Sequence, residues 1–348
     1  MTGTSQATLA EYLGYDPSYI SLLERGRRRL ADRAGLAHLS RSLAVPPHAL
    51  GISTEDDADF RAALQFGDST IRLADIARQA GRATEAVEEL WPLVARLEAR
   101  LAEGCVDASI VYLLARARTT LGVCLGHILA EEQQYVAARW TGKALVLAEQ
   151  LEGAELQGRV LRMHGNELRK AGRSRAATAR LTQALHLTRT PGERGQALLL
   201  LARAAGEYGD ANAFDAAISE AQHTADQEGA SGILLTDFTL REARIRGFAA
   251  TGRADRATRL AQQAPQEEPP APQWSAIERA TTGQALLGAG DVAGGEEALT
   301  EALLVAERHR LPHQVQRIVR TAEEGRLLEL GDRARAILRK LRALPIPR

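Results

Sequence analysis

Cysteine is almost absent: Cys105 and Cys124 are the two in 348 residues, too few for a disulfide framework. Lysine is nearly as scarce, with only Lys143, Lys170 and Lys340 among 44 basic residues, so positive charge here means arginine. Aromatics are 4% of the chain, which leaves the core to Leu, Ala, Val and Ile. No uncharged apolar run reaches the roughly 18 residues of a membrane span, and the N-terminus lacks the basic-then-apolar pattern of a signal peptide. Neither sign of charge is in excess, 44 basic residues facing 44 acidic ones. That excludes a protein that coats nucleic acid through bulk charge, and leaves room for a small local basic surface. With 45% hydrophobic residues the chain has ample material for a core, which excludes disorder. These absences describe a cytoplasmic protein with reduced thiols and no membrane partner. Its length allows two or three domains.

Strand signals are missing as well. No stretch alternates β-branched and aromatic residues between turn pairs, whereas apolar residues recur at three-and-four spacing nearly everywhere, so the expected fold class is all-α. The helices repeat. Ala80-Gly81-Arg82, Ala171-Gly172-Arg173, Tyr208-Gly209-Asp210, Thr251-Gly252-Arg253, Ala289-Gly290-Asp291 and Leu330-Gly331-Asp332 each close one helical pattern and open the next. From Gly172 onward these turns lie roughly 37 to 43 residues apart. Five residues after each glycine comes Ala86, Ala177, Phe214, Ala257, Gly295 or Ala336, small in all but one case. Gly126, Gly165 and Gly283 precede Ala138, Ala177 and Gly295 by twelve, as the other half of a close helix crossing.

This grammar resembles the tetratricopeptide repeat, a helix pair with a small residue in its first helix and an alanine early in its second. The resemblance covers about residues 60 to 345 and implies an α-solenoid of about seven helix pairs, coiled as a right-handed superhelix. The second pair has Gln133 where the turn glycine should stand, and the segment from Ala264 to Pro272 holds too many prolines to be anything but a loop. The position after the small residue of each first helix is His127, Asn166, Arg203, Arg246 or Gln284. The resemblance implies that these face the concave groove, with Asp75 extending the ladder. Arg162 and Arg169 flank Asn166 at helical spacing, in the manner of a clamp for a peptide backbone or terminal carboxylate. The expected groove residues are therefore His127, Arg162, Asn166, Arg169, Arg203, Arg246 and Gln284, each exposed enough to be replaced at little cost in stability.

Residues 1–53 follow a different pattern from residues 54–348. A short helix around Gln6, Leu9-Ala10 and Leu13 is closed by Gly14. Asp16-Pro17 then caps a second helix through Ile20-Ser21 and Glu24-Arg25, which stops at Gly26. Leu36, Leu39, Leu43, Val45 and Leu50 mark two further helical segments. The pattern resembles the Xre, or Cro/repressor, helix-turn-helix family. In that family the second helix of the unit enters the major groove. The resemblance implies that Pro17, Ser18, Ser21 and Leu22 face bases, that Gln6, Arg27, Arg28 and Arg29 hold phosphates with Arg25 a further DNA contact, and that Glu24 braces the fold. The family has a full helix before the glutamine, where this chain has only residues 1–5, so the domain reads as truncated and a start codon is expected upstream. Without that helix, Leu9, Leu13 and Leu39 are expected to lose part of their cover. Six arginines against four acids in residues 1–50 make a weak DNA grip, so specific binding implies a homodimer reading two half-sites.

Other motifs carry less. Gly288-Ala289-Gly290-Asp291 matches a relaxed dinucleotide fingerprint, but helical sequence precedes it where a strand is required. His309 and His313 are four apart with Pro312 between them, which spoils a shared helical face for a metal. Cys105 and Cys124 have no companion ligands, and no nucleophile has a base at a suggestive spacing. No metal, cofactor or enzymatic activity is expected. The chain reads as a DNA-binding transcriptional regulator whose repeat array senses a peptide or small molecule, or docks a protein partner. The alternative is a scaffold that binds a protein through the groove and whose head reads no DNA.

Overall fold

The computed structural model describes residues 5–28, 30, 32–45, 47–50, 55–102, 107–227 and 234–343, without side chains at 33, 48, 49, 55–57 and 59. Among them every regular element is helical: α1 Gln6–Leu13, α2 Pro17–Glu24, α3 Arg33–Ser42, α4 Glu55–Gln79, α5 Ala83–Ala102, α6 Ala108–Ile128, α7 Gln134–Ala148, α8 Ala154–Lys170 and α9 Ser174–Leu187. There follow α10 Pro191–Tyr208, α11 Ala211–Ala225, α12 Asp237–Ala250, α13 Ala254–Ala261, α14 Pro272–Gly288, α15 Val292–Arg308, α16 Pro312–Glu324 and α17 Leu328–Ala343. Short 3-10 turns occupy Pro47–Leu50 and Glu131–Gln133. The chain forms two compact units, Met1–Phe66 with Ala99–Cys105, and Gly67–Glu98 with Val106–Arg348. The boundary expected between 53 and 54, Arg29 and Cys105 fall outside the described residues.

In the first unit, local chemistry sets the helix ends. Ser5 caps α1 by accepting from the Thr8 amide, and Gly14 closes the helix at φ 70°. Two residues later Asp16 caps α2, its carboxylate accepting from the Ser18 amide at 2.8 Å, with Pro17 in the first helical position. Ala10, Leu13 and Ile20 form the buried centre, and Leu9, Tyr15, Leu23, Leu39 and Leu43 pack around it partly exposed. Of the three leucines expected to lose cover, Leu13 is thus buried and the other two are partly so.

The second unit is a solenoid-like succession of helices packed in adjacent pairs, from α6 with α7 to α16 with α17. The core is a chain of local clusters, each stitching one pair to the next. Five of the six expected turn glycines, Gly81, Gly172, Gly209, Gly252 and Gly290, adopt positive φ. The sixth does not: Gly331 lies inside α17, and its turn falls earlier, at Arg326 with φ 57°. The registered small residue shifts with it, Ala334 being buried and Ala336 exposed. The crossing expected of Gly126 with Ala138 is also one turn out. Gly122 is the glycine that meets α7, with Thr141 Cγ2 2.6 Å and the Ala137 carbonyl 3.0 Å from where a Cβ would stand, whereas Gly126 faces Glu167 and Lys170. Gly165 against Ala177 and Gly283 against Gly295 cross as expected. In place of the glycine missing at Gln133, buried Gln134 donates to the Gly126 and Leu129 carbonyls at 3.2 and 2.8 Å, satisfying the end of α6.

Helix α6 is long and apolar enough to cross a membrane by composition, although Arg116 and Arg118 interrupt it. Within its most apolar window 72% of residues are buried inside the protein, the pattern of a central core helix.

The array also curls back on itself. Helix α16 packs against α6 and the 131–133 turn, although they are far apart in sequence. Gln316 accepts from the Glu131 amide at 2.7 Å and donates to Glu132 at 2.9 Å, and Arg320 pairs with Glu131 at 2.8 Å. Arg342 reaches Glu132 at 2.7 Å, and His309 Nδ1 lies 3.3 Å from the Gly81 carbonyl oxygen.

Candidate functional site

Because the first helix of each pair lies on the inside, the curl encloses a cavity of about 370 Å³, lined mainly from α4, α6, α8, α10, α12, α14 and α16. Asp75 and six of the seven expected groove residues, His127, Arg162, Asn166, Arg169, Arg203 and Arg246, reach its wall. Gln284 does not: it lines a separate depression with Ala249 and Thr321, and accepts from Arg317 at 3.1 Å.

Seven cationic side chains line the cavity, Arg78, Arg159, Arg162, Arg169, Lys170, Arg203 and Arg246, against Asp75, Glu155 and Glu193. Three further carboxylates stand close behind the wall and pair with these cations, Glu167 and Glu242 buried and Glu207 partly exposed. Lys170 meets Glu167 at 2.5 Å, Arg169 meets Glu207 at 2.6 Å, and Arg246 meets Glu242 at 2.6 Å and Glu207 at 3.3 Å. Glu242 also accepts from Thr281 at 2.8 Å and lies 3.5 Å from Arg203. Burial pushes the Glu242 carboxyl up, but Arg203, Arg246 and Arg317 outweigh it and hold the group down at about 2. Burial acts on the cations in the opposite sense, bringing Arg203 to about 9 and Arg162 to about 10, still charged at neutral pH.

Arg203 corrects an expectation. It is 5% exposed, paired with Glu242, and its guanidinium lies 4.9 Å from the Trp274 ring centroid, so it braces three helices. The clamp around Asn166 is likewise engaged internally, Arg169 donating to Asn166 Oδ1 at 3.0 and 3.2 Å. Arg162 differs from its neighbours. It has no ion pair among the described residues, its one hydrogen bond is a 3.5 Å contact to the Glu193 carbonyl, and, like Arg78 and Arg203, it has a buried Nε without a partner. The Glu193 carboxylate instead accepts from the Arg189 and Thr190 amides at the head of α10. His127 and His313 are held well below the usual histidine range, first by burial and then by Lys170 and the surrounding arginines. Leu200, Leu234, Trp274 and Ile277 supply the apolar part of the lining.

The sequence reading missed Glu207, Glu242, Lys170, Gln273, Trp274, His313 and Arg317. A signal existed for some of these. Arg203 with Glu207, Glu242 with Arg246, and Asn166 with Lys170 repeat a polar pair at four-residue spacing on successive inner helices.

In the first unit, Pro17, Ser18, Leu22, Arg25, Arg27 and Arg28 are exposed, and Ser21 is half-buried. Positions 17, 18, 21, 22 and 25 share one side of α2 by helical spacing. Two of the expected DNA contacts have partners of their own. Gln6 donates to Glu24, which braces the two helices, and Ser18 Oγ donates to Asp16 at 2.5 Å. Arg28 lies 4.6 Å from the Tyr19 ring centroid.

No protein-family model matches the chain, and no curated protein matches it. Among solved structures, the chain is similar to BtubC (BKLC) from P. vanneervenii at 17% identity, over 66% of this chain and 89% of that one, with a TM-score of 0.41. It is also similar to a circular tandem repeat protein with a novel repeat topology, at 15% identity over 97% of this chain and 82% of that one, with a TM-score of 0.23. Likeness at this level carries no argument about function.

Proposed function

We propose that this chain is a DNA-binding transcriptional regulator of the Xre type, acting as a homodimer, whose tetratricopeptide-like array senses a ligand in its internal cavity. The observation that carries the reading is the cavity itself. A cavity of 370 Å³ falls within the range of small-molecule sites, with an apolar wall and a few convergent polar groups. Seven helices converging on one volume favour a compact ligand over the peptide expected of an open groove. The exposed side of α2, followed by Arg27 and Arg28, supports the DNA-reading half.

The test is fluorescence anisotropy with DNA from the protein's own promoter region, on the chain and on a version extended upstream by a helix's length. Affinity should fall steeply as salt rises, because arginine–phosphate contacts release counterions. Replacing Arg27 and Arg28 should weaken all sequences alike, while Ser21→Ala should change the preference among sites. If neither version binds DNA in a salt-dependent way, the scaffold reading replaces this one.

A further inference from the structure

We propose that the cavity takes an amphipathic organic anion, a single carboxylate on a compact apolar body, with Arg162 meeting the charge. The proposal rests on the sensor reading and names the ligand class. Among the described residues each other lining cation has a carboxylate: Arg78 and Arg159 share Asp75, and Arg169, Lys170, Arg203 and Arg246 pair with the glutamates behind the wall. Arg162 has no ion pair among them and only a long contact to a carbonyl; Arg159 repels it, and the Glu193 carboxylate attracts it only from a distance while capping α10. A half-buried guanidinium that lines a cavity and has no ion pair of its own is costly unless an anion completes it, and its planar fork suits a carboxylate.

A second, independent observation points the same way. Gln273, on the first turn of α14, is 3% exposed and lines the same cavity, yet its Oε1 has no hydrogen-bond partner. A buried acceptor of this kind awaits a donor such as an N–H or O–H on a ligand. Beside it, Trp274, Ile277 and Leu200 supply the apolar wall, so charge and apolar body have separate places to go. The available space equals about a dozen waters at roughly 30 Å³ each, enough for a ring system with a short acidic arm.

The test is calorimetric titration of the full chain with indole-3-acetate, whose indole N–H provides the donor, with indole-3-acetamide, and with inorganic phosphate. The acid is expected to bind at least tenfold more tightly than the amide, and phosphate alone to bind more weakly than the acid. Arg162→Met should erase the preference for acid over amide, with helicity unchanged by circular dichroism. Arg162→Lys should restore part of it. Equal binding of acid and amide, phosphate binding as tightly as the acid, a preference that survives Arg162→Met, or no binding by any probe overturns the proposal. Salt-dependent DNA binding in the anisotropy experiment would leave the regulator reading standing in each case, with an effector of another class.

Discussion

Arg203 and Glu242 are both buried, and Glu242 is shared between Arg203 and the closer Arg246. Truncating Arg203 leaves Glu242 paired with Arg246, so the cost is that of emptying a buried site against Trp274 between three helices, about 2–4 kcal/mol. Arg203→Ala should therefore lower the free energy of unfolding by about that amount in urea titration, and a change under about 1 kcal/mol would show the arginine to be a free groove residue after all. The half-buried histidines make a second prediction at this scale. Burial, helped by neighbouring cations, holds His127 and His313 well below 6.5 and brings His164 down to about 4. Below about pH 6.5 the unfolded chain thus binds protons that the folded chain refuses, and stability falls as pH drops. Glu242 extends the loss in the range from about 4.5 toward 2, since its folded value is the lower one. Glu167, raised by burial, acts in the opposite sense, one group against four. The urea midpoint should be clearly lower at pH 5 than at pH 7.5, and an equal midpoint would contradict this account. Of this only the pair Glu242 with Arg246 left a trace in the sequence, because helical spacing gives partners on one helix but not the group supplied by the next.

At the scale of the element, the turns were the most readable feature, since a left-handed residue at a helix end is a local requirement that glycine meets. The reading failed at Gly331 because Arg326 takes that conformation instead, and a non-glycine there leaves no mark in the sequence. It failed at Gly126 because a small residue permits close approach without saying to which helix. Phe214, the exception in the small-residue series, has its explanation in tertiary packing. Its ring fills the space left by Gly206 and Gly247, whose backbones approach so closely that a Cβ on Gly206 would stand 3.1 Å from the Gly247 Cα. A Cβ on Gly247 would strike the Phe214 ring itself. Gly247→Ala is therefore expected to destabilise by about 1–3 kcal/mol through overpacking, although alanine is the better helix former by about 1 kcal/mol. Combining it with Phe214→Leu should recover part of the loss. If the single variant is instead more stable in thermal unfolding, the ring yields and the crossing is loosely packed.

At the scale of the second unit, a solenoid normally has contacts only between neighbouring repeats, and its two ends do not know of each other. Here they do, through a seam whose partners lie some 184 to 228 residues apart in sequence. Nothing in a repeat pattern announces such a closure, which is why the sequence pointed to an open concave groove. The seam is polar. Arg320 and Arg342 are about half exposed, and ion pairs of that kind contribute only about 0–1 kcal/mol each. Closure is therefore a weak equilibrium laid over a stable array of local clusters, and it can be broken without unfolding them. Replacing Arg320 and Arg342 together with alanine should lower the unfolding free energy by no more than about 2 kcal/mol. The same variant should speed hydrogen exchange in α16 and α17 while leaving α8 to α11 unchanged, and raising the salt concentration should move the parent protein in the same direction. Since α6 and α16 both line the cavity, the variant should also release indole-3-acetate faster if the ligand proposal holds. A loss of stability as large as that expected of Arg203→Ala, or exchange that accelerates equally along the whole array, would show that the seam is part of the fold and not a closure resting upon it.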